Sequence, residues 1–510
     1  MKWILAAAAT IALAAPAQAE WLQARSRHFV IYSDTTPAAI ADLATRLERV
    51  DASMRFLSGF ADRPESAANP VTVYVVDDLP AIRRLARRQD VAGFYVPRAA
   101  GAVAFTPRRG GGSGIHALSP QIVLFHEYAH HFMLSNTSVA YPAWFAEGYA
   151  EFASTVGFND GKVTIGGAAQ HRAYEIFTTI NTPMAALFST QTKPTPAQQA
   201  QIYGRGWLLT HYAMLNRERR AQLEKYLVAI NAGKPSIQAA EDNFGDLKQL
   251  DRELDRYARN KLPGFILSED RFPVGKIDVR PLTPGERALI DMRMISTRGV
   301  DEKTAAPLYA RAARAAQAYP NDVAAQGWLA EMAYDAGQDD AAEAAADRAL
   351  AADPRSTQAL LYKARVRLRR AGSANNADPK IWREARSWIV KANRINNDDA
   401  AALELFYDSF AMESAKPSAS AVAGLHRALE LAPQDRGLRF KSVSQHLTDG
   451  QVAEAKRALR PLAFDPHAGS NNPAARLMTL LDQGQAGPAA LAAMAKAEEN
   501  KAEEKPDGTD

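Results

Sequence analysis

Cysteine is absent from this chain of 510 residues. Its absence excludes structural disulfides, thiolate metal ligands and a cysteine nucleophile. A strong charge of one sign is also missing, because the formal net charge is only +4, and we therefore expect no nucleic-acid binding. Beyond the N-terminal segment, no apolar run reaches membrane length without charges.

The N-terminal segment has the features of a secretory signal peptide. Lys2 gives a short positive region, residues 3–15 are apolar, and Ala17-Gln18-Ala19 is a small-x-small cleavage pattern. The apolar run is too short to span a membrane. We therefore expect residues 1–19 to be removed on export, leaving a periplasmic protein without a transmembrane anchor.

The next stretch of about ninety residues mixes strand and helix patterns. Apolar residues at helical period predict a helix that begins at Pro37 and reaches Leu57. Runs rich in β-branched and aromatic residues predict four strands, over 28–32, 71–76, 93–96 and 101–106. These elements predict a small sheet with helices. The glycine-rich segment 110–114 that follows favours a surface loop over a phosphate site, because no Lys-Ser/Thr follows it.

His126-Glu127-Tyr128-Ala129-His130 is the motif with the clearest chemistry. On a helix, residues four apart lie on one face, so His126 and His130 can present two imidazole nitrogens to one metal ion. A solvated helix face with incidental histidines is the alternative. Apolar flanks on both sides of the motif favour a buried helix, and buried histidines need partners.

Catalytic zinc normally takes three protein ligands and leaves a position for water. Glu147 is the candidate third ligand. It lies on a second predicted helix, after a turn containing Pro142 that lets the chain double back. The sequence therefore predicts a Zn²⁺ site built from two neighbouring helices.

The His-Glu-x-x-His motif and the Trp-x-x-Glu-Gly-x-Ala stretch over 144–150 together resemble the gluzincin metallopeptidases. The closest resemblance is to the peptidase MA-like group of bacterial envelope proteins, and it extends over 27–262. It implies an α+β zincin-like catalytic domain over 20–262. It also implies that an edge strand of the sheet pairs with the extended substrate, and 101–106 is the candidate strand.

Site residues follow from the same resemblance. It implies that His126, His130 and Glu147 bind the zinc ion and that Glu127 is the general base. Glu151, one turn beyond Glu147, matches an acid that orients a ligand histidine in related enzymes. An exposed helix glutamate is the alternative for Glu151.

The segment over 202–212 also resembles this family, through a Tyr-x-x-x-Trp-Leu-x-x-x-Tyr helix. Tyr203 is the candidate donor of a hydrogen bond to the oxyanion formed during amide hydrolysis. Alternatively, Tyr203 belongs to the core with Trp207 and Tyr212. His211 is a weaker candidate for the same role.

The second half of the chain is alanine-rich, and turn marks that close one helix and open the next recur along it. Pro320 and Pro354 are 34 positions apart, which is the tetratricopeptide period. Degenerate copies of this period predict four or five stacked helix pairs. The predicted organisation is a polar, proline-containing linker over 263–284, all-α tetratricopeptide-like repeats over 285–498 and a disordered tail over 499–510.

The predicted function is an exported zinc-dependent peptidase whose protein or peptide substrates, or protein partners, are recruited by the repeats. One alternative is a tetratricopeptide scaffold of the cell envelope with an inactive or structural zinc lobe. The presence of Glu127 argues against it, because a structural zinc site needs no base. A second alternative, a membrane-associated chaperone or adaptor, would need an anchor that the sequence lacks.

Overall fold

The computed structural model describes residues 20–89, 91–110, 117–178, 183–189, 195–465, 472–485 and 487–492. The predicted signal peptide and the predicted tail lie outside these residues. Most of the glycine-rich loop and the end of the predicted repeat region also lie outside them. In the described part of the chain, no helix is both long enough and apolar enough to cross a membrane.

The fold is rich in helix and contains small sheets in its N-terminal half. The strands of the described residues are β1 Glu20–Arg25, β2 Phe29–Thr35, β3 Val71–Val76, β4 Phe94–Val96, β5 Val103–Pro107, β6 Gly157–Asn159, β7 Lys162–Ile165, β8 Phe265–Ser268 and β9 Asp278–Pro281. A six-stranded mixed sheet has the order β4-β5-β3-β2-β1-β9, and β6, β7 and β8 form a second, antiparallel sheet. In the larger sheet, β2, β3 and β5 are parallel, whereas β1, β4 and β9 run antiparallel to their neighbours.

The structure corrects the assignment of the edge strand. The segment predicted for that position, 101–106, contributes most of β5, and β5 is paired on both sides by β3 and β4. The outermost strand on this side of the sheet is β4, whose Tyr95 lies opposite Ala104, and β9 lies at the other edge. The two strands form a hairpin, and because the second strand, β5, pairs with β3, the first strand takes the outer position.

The predicted linker over 263–284 also differs from the structure. It contains β8, which pairs with β7, and β9, which pairs with β1. The Leu282 amide then donates a hydrogen bond to the Trp21 carbonyl at 3.0 Å. Both strands are short and lie at the edges of their sheets, where short strands are common. This segment therefore belongs to the N-terminal fold.

The N-terminal half also contains eleven helices within the described residues. They are α1 Pro37–Ser58, α2 Leu79–Ala86, α3 Pro120–Asn136, α4 Ala143–Ser154, α5 Ala173–Thr178, α6 Met184–Phe188, α7 Pro196–Ala200, α8 Gly206–Leu215, α9 Arg217–Asn231, α10 Ser236–Phe244 and α11 Leu247–Ala258. A π-helical turn over Gln201–Arg205 joins α7 to α8. Ile31 and Val73 on one sheet face pack in a single core with Leu47 of α1 and Phe125 of α3.

The C-terminal half is built from paired helices. Within the described residues they are α12 Pro284–Arg298, α13 Glu302–Ala316, α14 Val323–Asp335, α15 Asp339–Ala352, α16 Thr357–Ser373, α17 Pro379–Ile395, α18 Ala400–Met412, α19 Ala419–Leu431, α20 Arg436–Thr448, α21 Val452–Ala463 and α22 Pro473–Asp482. Four of the turn marks supply N-cap side chains, from Asp322, Ser356, Asp399 and Asp435. A stacked array of helix pairs is therefore present, as the period predicts.

The helical array covers the second face of the larger sheet. Tyr32 and Tyr74 point away from α1, because successive residues of a strand face opposite sides. They share a core with Leu289 of α12 and Trp328 of α14. The sheet is thus the middle layer between the N-terminal helices and the first helix pairs.

The loop between β4 and β5 reaches further into the array. The Arg98 guanidinium donates to the Thr297 carbonyl at the end of α12 at 3.0 Å. The Ala99 amide donates to Asp435 Oδ2 at the start of α20 at 2.7 Å, and Gln434 donates to the Arg98 carbonyl at 3.3 Å. Because α12 and α20 belong to well-separated pairs, the array curves around this loop.

We expect Asp435→Ala to loosen this loop from the array. Asp435 caps α20 through the Leu438 amide at 2.7 Å and also binds the Ala99 amide. Loss of an N-cap costs about 0.5–2 kcal/mol. Asp399→Ala is the matched control, since Asp399 caps α18 through Ala402 without a bond to the loop. Amide hydrogen exchange over 97–102 should accelerate only in Asp435→Ala, and equal rates in the two variants would contradict the assignment.

Candidate metal centre

Helix α3 carries the two histidines of the motif. It begins after Ser119, whose hydroxyl accepts a hydrogen bond from the Ile122 amide, and Pro120 occupies its first turn. His126 and His130 lie one turn apart on the same face, with their Nε2 atoms 3.2 Å apart. Both rings are partly accessible, whereas the flanking apolar residues are buried in the core.

Helix α4 brings the carboxylate of Glu147 to the two imidazoles. Glu147 is 2% exposed, and its Oε2 lies 3.3 Å from His126 Nε2 and 3.6 Å from His130 Nε2. In the described part of the chain, these three residues form the one group of three or more potential ligands whose donor atoms all lie within 4.8 Å of one another. The structure thus brings together the three residues predicted to be ligands.

The spacing of the three donor atoms suits zinc. Ligand atoms that lie 2.0–2.1 Å from a tetrahedral ion are separated from one another by about 3.3 Å. The separations here are 3.2, 3.3 and 3.6 Å. Two imidazole nitrogens and one carboxylate oxygen are also a donor set that zinc accepts in catalytic sites. The residues present therefore fit the ion that the sequence predicts.

The electrostatic environment of His126 favours a cation. Burial opposes a charge on the ring, but hydrogen bonds to Glu147 and Glu151 outweigh this effect and raise the pKa of His126 to about 10. Two carboxylates directed at one imidazole create an excess of negative charge in a buried place. A divalent cation can neutralise that charge, as a proton does in its absence.

Glu151 is buried, so the alternative of an exposed helix glutamate is wrong. Its Oε1 lies 3.1 Å from His126 Nδ1 and accepts a hydrogen bond from Arg172 at 2.7 Å, while His171 Nε2 lies 2.6 Å from Oε2. Burial opposes the charge, but hydrogen bonds to His126 and His171 hold the pKa of Glu151 well below its usual range. Glu151 thereby fixes the ring of His126 so that Nε2 faces Glu147.

His171 and Arg172 are site residues that the sequence does not reveal. They lie in a 3₁₀ turn, Gln170–Arg172, between β7 and α5. Their role depends on the chain returning to α4 after strands β6 and β7, and no spacing pattern marks that return. A histidine and an arginine side by side in a polar loop were the only signal available.

Glu127, the predicted base, follows His126 on α3 and is half-buried. It is not part of the three-residue ligand group. Its negative charge contributes to raising the pKa of Tyr95 on the outermost strand β4, after the larger effect of burial. Glu127 is therefore close enough to β4 for its charge to act on Tyr95.

Tyr203 lies in the π-helical turn and is half-buried beside the histidines. Its ring stacks on His126 with centroids 6.1 Å apart, and the Arg172 guanidinium lies 4.6 Å from the Tyr203 ring centre. Burial and the neighbouring Glu147 carboxylate raise the pKa of the Tyr203 phenol, so the hydroxyl keeps its proton at neutral pH. π-Helical turns are frequent at functional sites.

The other aromatic candidates of this segment lie in the core. Trp207 is 1% exposed. His211 Nδ1 lies 2.8 Å from the Tyr257 hydroxyl, and His211 Nε2 lies 3.0 Å from the Gly166 carbonyl. Both nitrogens of His211 therefore have structural partners away from the histidine pair.

Two glycines allow α8 to reach the site. A Cβ atom on Gly148 of α4 would lie 2.4 Å from the Gly206 carbonyl oxygen, and one on Gly206 would lie 2.5 Å from the Trp144 carbonyl oxygen. The two helices thus cross in backbone contact, one residue away from Glu147. This crossing places Tyr203 next to the ligand group.

The fold and the site together define a helix-rich protein with a mixed sheet, an array of helix pairs and a His-His-Glu cluster. No family model matches the chain. Over 151 residues the chain is 28% identical to the cellulose synthase 1 operon protein C of Komagataeibacter xylinus. That similarity covers 30% of this chain and 11% of the operon protein, so the chain spans only a small part of this relative.

Proposed function

We propose that this protein is an exported, zinc-dependent peptidase of the gluzincin type, with a helical-repeat array that brings polypeptides to it. The observation that carries the proposal is the set of donor-atom separations, 3.2, 3.3 and 3.6 Å, among His126, His130 and Glu147. The accompanying acid at Glu151 supports it, because a ligand histidine normally donates its second nitrogen to such a group.

Zn²⁺ in a three-ligand site supplies Lewis acidity, which lowers the pKa of water towards neutrality. The residues of the chain would do the rest. Glu127 would accept a proton from the attacking water and deliver it to the leaving amine. Tyr203, which keeps its phenolic proton, would donate a hydrogen bond to the developing oxyanion.

The substrate would be an extended polypeptide. The outermost strand β4 lies beside α3, since a Cβ on Gly93 would touch Val123, one turn before His126. The Tyr95 hydroxyl of β4 lies 2.7 Å from Nδ1 of His131 on α3, within hydrogen-bond distance. Main-chain pairing along β4 would hold a peptide across the histidine pair without reading much of its sequence.

A second candidate function is a helical scaffold of the cell envelope in which the zinc site is structural or inactive. The similarity to the cellulose synthase 1 operon protein C favours this candidate, because the name of that relative does not describe a peptidase. The two proposals differ in one observable, which is cleavage of a polypeptide by the zinc-loaded protein.

The test is zinc content together with casein cleavage. We expect the purified protein to hold about one zinc ion per chain and to lose cleavage when a chelator removes it. His130→Ala should lose both the ion and the activity, whereas His446→Ala, on α20 of the array, should keep both. Unchanged zinc content in His130→Ala would remove the ligand assignment. Bound zinc without cleavage would support the scaffold instead.

A further inference from the structure

A cavity of about 730 Å³ lies between the end of β4 and the inner side of the helical array. Its wall includes Val96, Arg98, Ser296, Tyr334, Asp335 and Arg365. These residues come from the β4–β5 hairpin and from α12, α14 and α16. The volume falls in the range of about 300–1,000 Å³ that is usual for ligand sites. We call it the groove cavity.

One buried polar group in the wall is unsatisfied. The Ser296 hydroxyl is inaccessible, and Ser296 as a whole is 4% exposed. Among the described residues this hydroxyl has no hydrogen-bond partner. Buried hydroxyls without partners are uncommon in folded proteins, and an ordered water is the usual partner of such a group.

The charges of the wall are mixed. Arg98 lies 3.7 Å from Glu331, and Arg365 and Asp335 face the same space from α16 and α14. A ligand with a single strong charge would be repelled either by the arginines or by the acidic residues of the wall. A polypeptide suits such a wall, because its main chain both donates and accepts hydrogen bonds and its side chains carry both signs.

The aromatic residues argue against a sugar chain. Sugars usually stack on a free, flat aromatic face. Here the Arg369 guanidinium lies 3.6 Å from the centre of the Tyr334 ring, and Arg365 lies 5.8 Å from the Tyr362 ring. The two rings also meet edge to face, with centroids 5.8 Å apart. These contacts leave little flat surface for stacking.

We propose that the groove cavity holds the part of an unfolded polypeptide that extends past the Val96 end of β4. One bound chain then contacts both the edge of the sheet and the helical array. Val96 is the last residue of β4 and also lines the groove cavity, so the edge of the sheet and the cavity are continuous. The inference rests on the proposed function for the source of the polypeptide. Its binding step, however, can be measured without cleavage.

The test uses the full chain carrying Glu127→Gln, with fluorescently labelled β-casein as the probe and anisotropy as the readout. Arg365→Glu in this background should weaken casein binding at least fivefold. Arg311→Glu is the matched control, because Arg311 is exposed on α13, away from the cavity, and the change in net charge is the same. A photo-crosslinking phenylalanine placed at Asp335, which is exposed, should capture casein and guards against misfolding of Arg365→Glu.

Each outcome decides between the proposals. Equal affinities of the Arg365→Glu and Arg311→Glu variants, with no crosslink, would overturn the groove cavity as a polypeptide site. Competition by cellohexaose would assign the cavity to a sugar chain and overturn it as well. If the chain with Glu127 binds casein through the cavity but does not cut it, the cavity assignment stands and the proposed peptidase fails.

Discussion

Glu127→Gln is expected to slow casein hydrolysis about 10²–10⁴-fold, the usual contribution of a general base. Glutamine has nearly the same shape as glutamate but cannot accept the proton of the attacking water. Glu127 lies outside the ligand group of His126, His130 and Glu147, so the variant should keep its zinc. Zinc content by mass spectrometry and the initial rate of casein cleavage are measured on the same sample.

Glu224→Gln is the control for this prediction. Glu224 is exposed on α9 and forms an ion pair with Arg220 of the same helix. The control should leave both zinc content and rate unchanged. Full activity in Glu127→Gln would rule out the base, and loss of zinc in it would show that Glu127 supports the ligand group instead.

The ligand group was open to prediction because most of its geometry is local. The four-residue spacing of His126 and His130 fixes their common face on any helix. The prediction of Glu147 as a ligand required one further assumption, which is that a second helix after Pro142 turns back onto the first. That step involves only 17 residues of chain after His130. Short-range connections of this kind leave few alternatives for packing.

The surroundings of the ligand group depend on longer connections. Glu151 could be placed on its helix but not assigned as buried, because its partners His171 and Arg172 arrive only after β6 and β7. Tyr203 reaches His126 only through the crossing of α4 and α8. In both cases the side chain can be identified in the sequence, but the contact that defines its role cannot.

Strand positions within the sheet show the same limit. β4 and β5 have similar strand-forming residues, so composition does not reveal which of them lies outermost. The pairing does, because β5 is also paired with β3 on its other side, which leaves β4 at the edge. The pairing of β9 with β1 joins segments more than 250 residues apart, and no local pattern in a polar stretch predicts it.

The aromatic face of the sheet links the two halves. Tyr74 stacks on Tyr32 at 5.2 Å and on Phe105 at 5.3 Å, and the array covers all three. The continuous apolar run over 71–76 is typical of a strand buried on both faces. That run therefore contained a sign of the second covering layer, although not of the helices that form it. The array and the sheet are one packed unit, which explains how a groove between them can serve the histidine site.

Gly148→Ala is expected to separate α4 from α8 and to weaken zinc binding. The new Cβ would lie 2.4 Å from the Gly206 carbonyl oxygen and 2.5 Å from the Thr210 hydroxyl. Backbone atoms cannot rotate away, so the helices must shift. Overpacking of this kind costs about 1–3 kcal/mol, which equals or exceeds the gain of about 1 kcal/mol that alanine brings over glycine in a helix.

Gly424→Ala in α19 isolates the packing effect from the helix effect. A Cβ there would find its nearest neighbour, Leu403, at an ordinary contact distance of 3.6 Å. The control should therefore be neutral or slightly stabilising, whereas Gly148→Ala should lower the thermal midpoint and the zinc content together. Because Glu147 is the adjacent residue, a shift of α4 moves a ligand directly. An unchanged midpoint with full zinc content in Gly148→Ala would show that the helix crossing does not set the position of Glu147.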